Sequence, residues 1–365
     1  MNSSWWLFIQ PAIIAGITSF AVSGAVVKWG KKLKIIDDPK KHLLPKVVHE
    51  KAVPRGGGIP ILAALLIGGG LFLPANTRTW AITLGGMLLA MVGHLDDRFE
   101  EKISPYPRLA VNALAALLVI GAGIGIAYIT NPMGGVLRLD IPQICFVSAG
   151  RQHCIWILSD IFALIWLVWM QNMVGWSSGV DGQLPGFVII AAVAIAILGI
   201  RTGSTTQTEV VILSGIIAGA YCGFLPWNWY PQKMMTGYGG KSLAGFLLGL
   251  LAIMSGAKVG AMFMVLSVPF IDGILVIIKR VRESRSPVQG GREHLHHLLL
   301  DRGWSKPKIA LFYWGISLIF AVLALQLKAG AKYFTMATGI LIITGIIWWL
   351  QNWSTYSKQP GPDNG

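Results

Sequence analysis

Charge is scarce in this chain: Asp, Glu, Lys and Arg make up 13% of its 365 residues, against roughly 25% in ordinary soluble domains. That shortage, with 54% hydrophobic residues and a mean hydropathy of +0.62, excludes a conventional water-soluble globule. Acids are scarcer than bases, 16 against 30, leaving a formal net charge of +14. No polar stretch is long enough to be a separate domain, so no nucleic-acid partner is expected from that surplus. Cysteine is limited to three residues. Cys145 and Cys154 fall in or beside one loop and Cys222 in an apolar run. Their spacing fits no zinc or redox motif, and they read as small buried or boundary residues. HExxH is absent. Strict period-two alternation is missing too, which argues against a porin-type barrel. The N-terminus, MNSSWWLFIQPAIIAGITSFAVSGAVVKWG, has no basic n-region, so a cleaved signal peptide is not expected.

What is present is a series of apolar runs, and the class they define is an all-α, multi-pass integral membrane protein. Eleven runs can be laid out: 6–28, 57–73, 79–93, 108–129, 155–170, 184–200, 210–226, 242–256, 259–278, 308–327 and 333–350. Several are shorter than the ~20 residues that cross hydrocarbon comfortably, so the expected count is about 10–11. Fifteen Trp suit a chain with many membrane–water boundaries. With an odd count, loops 29–56, 94–107, 171–183, 227–241 and 279–307 share one side with the polar tail 351–365. That side, boundary residues included, holds 23 of the 30 Lys and Arg. The other holds Arg78, Arg138, Arg151, Arg201, Lys258, Lys328 and Lys332. The rich side is expected to be cytoplasmic, with the N-terminus outside and the C-terminus inside. Residues 1–350 then form one transmembrane domain. In the longest outer loop, VLRLDI alternates as a short hairpin strand would.

The unusual residues gather on the basic side. Asp96 and Asp97 are adjacent in GHLDDR, at the end of the third run. Adjacent carboxylates raise each other's pKa unless a cation joins them. Oxygen ligands at a membrane face suit Mg²⁺, with an acidic helix boundary as the plainer reading. Asp272 sits inside VPFIDGILVII, where a carboxylate costs about 2.5–3.5 kcal/mol. Either it belongs to a site with the Asp pair, or it forms a salt bridge with the basic run KRVRESR that starts seven residues later. HLHH carries His294, His296 and His297 behind Arg292, a cationic cluster able to grip phosphate oxygens or simply a solvated loop. The first basic loop holds eight Lys and Arg from Lys31 to Arg55. Its Gly56–Gly58 permit a close backbone approach, for a phosphate or for helix packing. Asp181, between two glycines, either closes a site or caps the next helix. Carboxylates beside phosphate-binding donors at headgroup level fit phosphoryl transfer to a membrane-borne acceptor better than transport, which places charges nearer the midplane.

Six stretches, in order, carry a resemblance: HEKAVPRGGG (49–58), GHLDDR (93–98), NMVGWSSGVDG (172–182), GFLPWNWYPQKMMTG (223–237), PFIDG (269–273) and SPVQGGREHLHHLLLDRGWS (286–305). Together they resemble the polyprenyl-phosphate N-acetylhexosamine-1-phosphate transferases, over about residues 30–310. The resemblance implies a plasma (inner) membrane enzyme of ten or eleven spans with its site on the cytoplasmic face. It implies transfer of a sugar 1-phosphate from a UDP-sugar to undecaprenyl phosphate, releasing UMP, with Mg²⁺ (Mn²⁺ as the substitute ion). Asp96, Asp97, Asp272, His294, His296 and His297 then stand at catalytic positions, with Asp97 and Asp272 on the metal. Lys46, Lys51, Arg55, Asn172, Asp181 and Arg292 are substrate-binding candidates. HLHH after Arg292 looks like the GlcNAc-1-phosphate branch. The alternatives are phospho-MurNAc-pentapeptide transfer, a weakly active or non-catalytic paralogue, and a lipid-linked sugar transporter. Besides lipid, apolar surfaces could serve a homodimer. Four positions depart from the family pattern. Gly175 stands for Asn, Ser178 for Asp, and Gly291 for the Asp before Arg292. The family's GDxGS reads GYGGK, with Tyr238 for Asp and Lys241 for Ser. These losses point to an altered donor sugar.

Overall fold

The computed structural model describes residues 3–39, 51–99, 104–131, 135–148, 151–202, 207–256, 258–288, 291–327 and 329–356. Helices dominate, as the apolar runs require: α1 Ser3–Trp29, α2 Gly58–Phe72, α3 Thr77–Arg98, α4 Pro105–Gly121, α5 Ile157–Trp176, α6 Gln183–Thr202, α7 Thr208–Asn228 and α8 Gly237–Met254. After these come α9 Val259–Val265, α10 Ser267–Arg282, α11 Leu295–Asp301, α12 Lys306–Gln326 and α13 Ala329–Tyr356. Among the described residues, seven helices (α1, α5, α6, α7, α8, α12 and α13) are long and apolar enough to cross a membrane. A bent pair, α9 with α10, makes an eighth candidate, and α2 and α4 are shorter apolar helices. With α3, every expected run is therefore helical.

Two runs differ from expectation. The run 259–278 is broken at Leu266, where α9 and α10 meet at 84°. Pro269 explains the break: it has no N–H for an i→i−4 bond, and its ring clashes with the carbonyl of Val265, the last residue of α9. The run 108–129 stops early, because α4 ends at Gly121 and Gly123 has φ +79°. Residues beyond it form β3 (Tyr128–Thr130), paired with β4 (Val136–Arg138), so the hairpin expected at VLRLDI is present. A second hairpin, β5 (Gln143–Ser148) with β6 (Arg151–Trp156), went unforeseen. Its register sets Cys145 opposite Cys154, and the two form a disulfide across a Cα–Cα distance of 4.1 Å. That corrects the reading of these cysteines as isolated small residues: nine residues of separation mean little until the hairpin register is known. Cys222 is free and exposed.

The core lies along α6, α7 and α8, with α8 buried along nearly its whole length. Helices approach closely where side chains are small. Gly215, Gly219 and Gly223 of α7 face the α1 backbone, a small-xxx-small contact of the kind that packs membrane helices. Among the described residues, the basic-side connections are short. Several expected loop residues are instead the last or first turns of helices, including Asp96 and Asp97 on α3, Asn172 on α5 and Tyr238 on α8.

Candidate active site

Three helix ends meet at glycines. A Cβ at Gly93 would lie 2.3 Å from the Gly239 Cα, and one at Gly58 would lie 3.0 Å from the same atom. The expected close approach at Gly56–Gly58 is therefore helix packing against α8. It brings the last turn of α3 onto the first turn of α8, and Asp97 Oδ1 accepts the Tyr238 N–H at 2.8 Å. A helix N-terminus has unpaired N–H groups and a partial positive charge, so a carboxylate there is stabilised. Asp97 and Asp96 are both buried. Asp96 is met by Arg108 of α4, with Nε–Oδ1 2.6 Å. Arg108 also lies over the Tyr238 ring, 5.5 Å from its centroid, and the Tyr238 hydroxyl donates to Asn112 Oδ1 at 3.0 Å.

Asp272 is buried on α10 and both its oxygens are bonded. Oδ2 lies 2.8 Å from His294 Nδ1, and Oδ1 accepts the Leu295 N–H at 2.8 Å. It thus caps the first turn of α11 from another helix and orients the His294 ring. The rival partner, the basic run after it, goes elsewhere. Arg280 is buried under Trp176, donates to the Pro287 carbonyl, and pairs with Glu293 at 2.8 Å. Glu293 also pairs with Arg285 at 2.8 Å. Removing Glu293 strands a buried guanidinium, so Glu293→Ala should cost about 3 kcal/mol. Thermal unfolding of purified protein checks this, and adding Arg280→Met should recover part of the loss.

The three histidines stack: His294 on His296 at 5.7 Å between centroids, and His296 on His297 at 4.2 Å. His296 Nε2 fills the space over Gly179, where a Cβ would sit 1.8 Å away. Residues 177–182 therefore wrap the histidines, and any side chain at 179 would displace His296. The cluster is not the cationic group the sequence suggested. Burial, then the charges of Arg292 and His294, hold His297 down at about 4. Burial and the neighbouring rings hold His296 well below its ordinary range. The imidazoles are neutral at pH 7, each offering one N–H. His296 Nδ1 and His297 Nδ1 are buried with no hydrogen-bond partner among the described residues. Orphaned buried polar atoms are rare and point to a ligand. A consequence is testable. The unfolded chain protonates His297 near 6.5 but the folded one only near 4. Stability is therefore full above pH 6.5 and falls as pH drops toward 4. Tm should drop from pH 7.5 to pH 5, and His297→Gln should flatten that slope.

Other expected site residues are placed as follows. Arg55 is bonded to Asp37, Nε–Oδ2 2.8 Å, and its backbone bridges to Met235 on the approach to α8. Asp181 accepts from the Gln232 N–H at 3.2 Å and faces Lys306 at 3.7 Å, so it ties two loops together. Asn172 turns back to its own helix, donating to Val168 O at 2.7 Å. Arg292 pairs with Asp301 at 2.6 Å near the surface. Lys51 is exposed and apart from the acids' bonded network, and Lys46 lies outside the described residues. No group of three or more His, Cys, Asp or Glu is arranged as a metal-ligand set among the described residues. Adjacent buried acids still fit a cation that brings substrate oxygens and water with it, which is how Mg²⁺ usually binds.

A glycosyl transferase family 4 model matches residues 79–256, the segment from α3 to the end of α8 that holds the Asp pair and its α8 partner. Relatives extend the likeness over most of the chain. A Bacillus subtilis protein named as a probable undecaprenyl-phosphate N-acetylglucosaminyl 1-phosphate transferase is 24% identical, covering 91% of this chain and 88% of its own. A decaprenyl-phosphate N-acetylglucosaminephosphotransferase of Mycolicibacterium smegmatis is 26% identical over 93% and 88%. A phospho-N-acetylmuramoyl-pentapeptide-transferase of Moorella thermoacetica is 25% identical over 87% and 98%. The chain belongs to glycosyl transferase family 4.

Within this family 4 protein, sequence reasoning missed Arg108, Asn112, Arg280 and Glu293. Arg108 was passed over because it opens an apolar run; its available signal was the need of the buried Asp96 for a cation. Arg280 and Glu293 lie 13 residues apart and meet only because the chain folds back between α10 and α11. Tyr238, one of the departures, contributes its backbone N–H to Asp97 while its side chain turns to α4.

Proposed function

We propose that the chain transfers a sugar 1-phosphate from a UDP-sugar to undecaprenyl phosphate and releases UMP, on the cytoplasmic face of the plasma membrane. The observation that carries this is one cluster of buried groups drawn from separate segments. Asp97 sits at the α8 N-terminus, and the neutral histidines lie behind it with two unpaired nitrogens, both sets under the charge of Lys241. The outer-loop disulfide supports the orientation, since disulfides persist on an oxidising side.

An acceptor phosphate oxygen forms a bond to the β-phosphorus. The bond from that phosphorus to the bridging oxygen breaks, and UMP leaves with the electron pair. No proton need be removed, because a phosphate monoester is already anionic at pH 7. Asp272 holds His294 in place, and the unpaired imidazole N–H groups of His296 and His297 are available to phosphate oxygens. Asp96, neutralised by Arg108, positions rather than accepts a proton. Mg²⁺, when bound, supplies charge compensation for the diphosphate and the departing UMP; Asp97 would hold it, with Asp272 as the second carboxylate. Preorganised electrostatics supply most of the rate.

UDP-GlcNAc is the first donor. A panel of UDP-GlcNAc, UDP-GalNAc and UDP-MurNAc-pentapeptide, assayed with purified protein and undecaprenyl phosphate for UMP release, tests this. Turnover with the pentapeptide donor alone would move the chain to the other branch. No UMP with any donor would favour a transporter or non-catalytic role.

A further inference from the structure

Lys241 stands where the family pattern has Ser, in the first turn of α8. A cation there opposes the helix dipole, which favours anions at that end. The position is therefore a poor one for a lysine chosen for stability. Room for it comes from a second departure. A Cβ at Gly175, the family's Asn, would lie 3.6 Å from the Lys241 Cβ. A larger residue at 175 would meet the lysine stem, so the two departures exchange bulk: a small residue on α5 for a long one on α8. The ammonium acts electrostatically on both Asp97 and His296. It is half-buried, between the acid end and the histidine end of the site.

We propose that Lys241 contacts the donor diphosphate as a built-in cation, and that it thereby reduces the site's hold on a free divalent ion. The chemistry follows from the placement. A fixed ammonium beside Asp97 pairs with phosphate oxygens when the donor is bound, and it repels a metal ion when the site is empty. A family pattern with Asn and Ser at these positions leaves that charge to be supplied from solution. Gly175 is the permissive half of the device and Lys241 the half that touches substrate. The proposal rests on the transferase reading above.

The test compares the parent protein with Lys241→Ser and Lys241→Arg, each purified and shown monodisperse. Mn²⁺ binding to the substrate-free protein is read by electron paramagnetic resonance, a measurement that needs no turnover. Lys241→Ser should bind Mn²⁺ at least about tenfold more tightly, as expected when a like charge a few ångströms away is removed. Lys241→Arg should stay near the parent value. In the UMP assay, Lys241→Ser should lose at least about tenfold in kcat/KM at low Mg²⁺ and recover much of it as Mg²⁺ is raised. The parent should depend on Mg²⁺ far less steeply. Unchanged Mn²⁺ affinity in Lys241→Ser would overturn the proposal, as would a Mg²⁺ dependence parallel to the parent's. If the parent itself released no UMP, the transferase reading would fail instead, and the Mn²⁺ arm would still decide whether Lys241 repels a metal.

Discussion

Asp272→Asn should fold, purify as a single species and release UMP at least ~10²-fold more slowly than the parent. Both partners of Asp272 present hydrogens to it if His294 carries its proton on Nδ1: the imidazole N–H on one oxygen, the Leu295 amide on the other. An Asn amide can accept from only one of them and must turn its NH₂ toward the other donor. The charge is lost too, and with it the pull that orients His294 and caps α11. A lost cap costs about 1 kcal/mol, so the fold should survive while the histidine cluster loosens. His294→Gln should slow turnover as well, and the double variant should be less than additive, because both changes act on one contact. Near-normal UMP release from well-folded Asp272→Asn would sink the role given to this carboxylate.

The second large effect belongs to Gly93→Ala. Its Cβ would sit 2.3 Å from the Gly239 Cα and 2.5 Å from the Gly239 nitrogen, and backbone cannot swing aside as a side chain can. The ends of α3 and α8 must separate, and the Asp97 to Tyr238 contact is made across that seam. Overpacking of this kind costs about 1–3 kcal/mol. Activity should fall further than stability, at least ~10-fold, because a site misplaced by a fraction of an ångström loses its preorganisation. Gly70→Ala is the control, since nothing lies within 4 Å of its Cβ position. It should leave UMP release unchanged and raise Tm slightly through helix propensity. Equal Tm and turnover for Gly93→Ala and the parent would mean that the seam does not set the geometry.

Much of the molecule was legible beforehand because membrane insertion is a composition rule. Apolar runs of the right length must be helices, since lipid satisfies no backbone group. Every one of the eleven runs is helical, and the basic loops mark one side. Asp96, Asp97, Asp272 and the HLHH histidines stood out as polar residues where polarity is expensive. The breaks were harder. Pro269 was visible in the sequence, but the direction of the 84° turn it permits is set by packing. The cysteine pair needed the register of a hairpin that hydropathy does not reveal.

Sequence alone determined the class, the family pattern and the identity of the costly polar residues, because each follows from local chemistry or from order along the chain. Only the tertiary structure decided how those residues are paired. Asp272 was expected to meet the basic run seven residues on; it meets His294 and the start of α11, 22 residues on. Arg280 of that run meets Glu293 instead. The histidines, cationic by composition, are neutral by burial. In each case the deciding quantity is the local environment of a charge: how much water it keeps and which dipoles face it. That environment is assembled from segments far apart in the chain, so no window of sequence contains it.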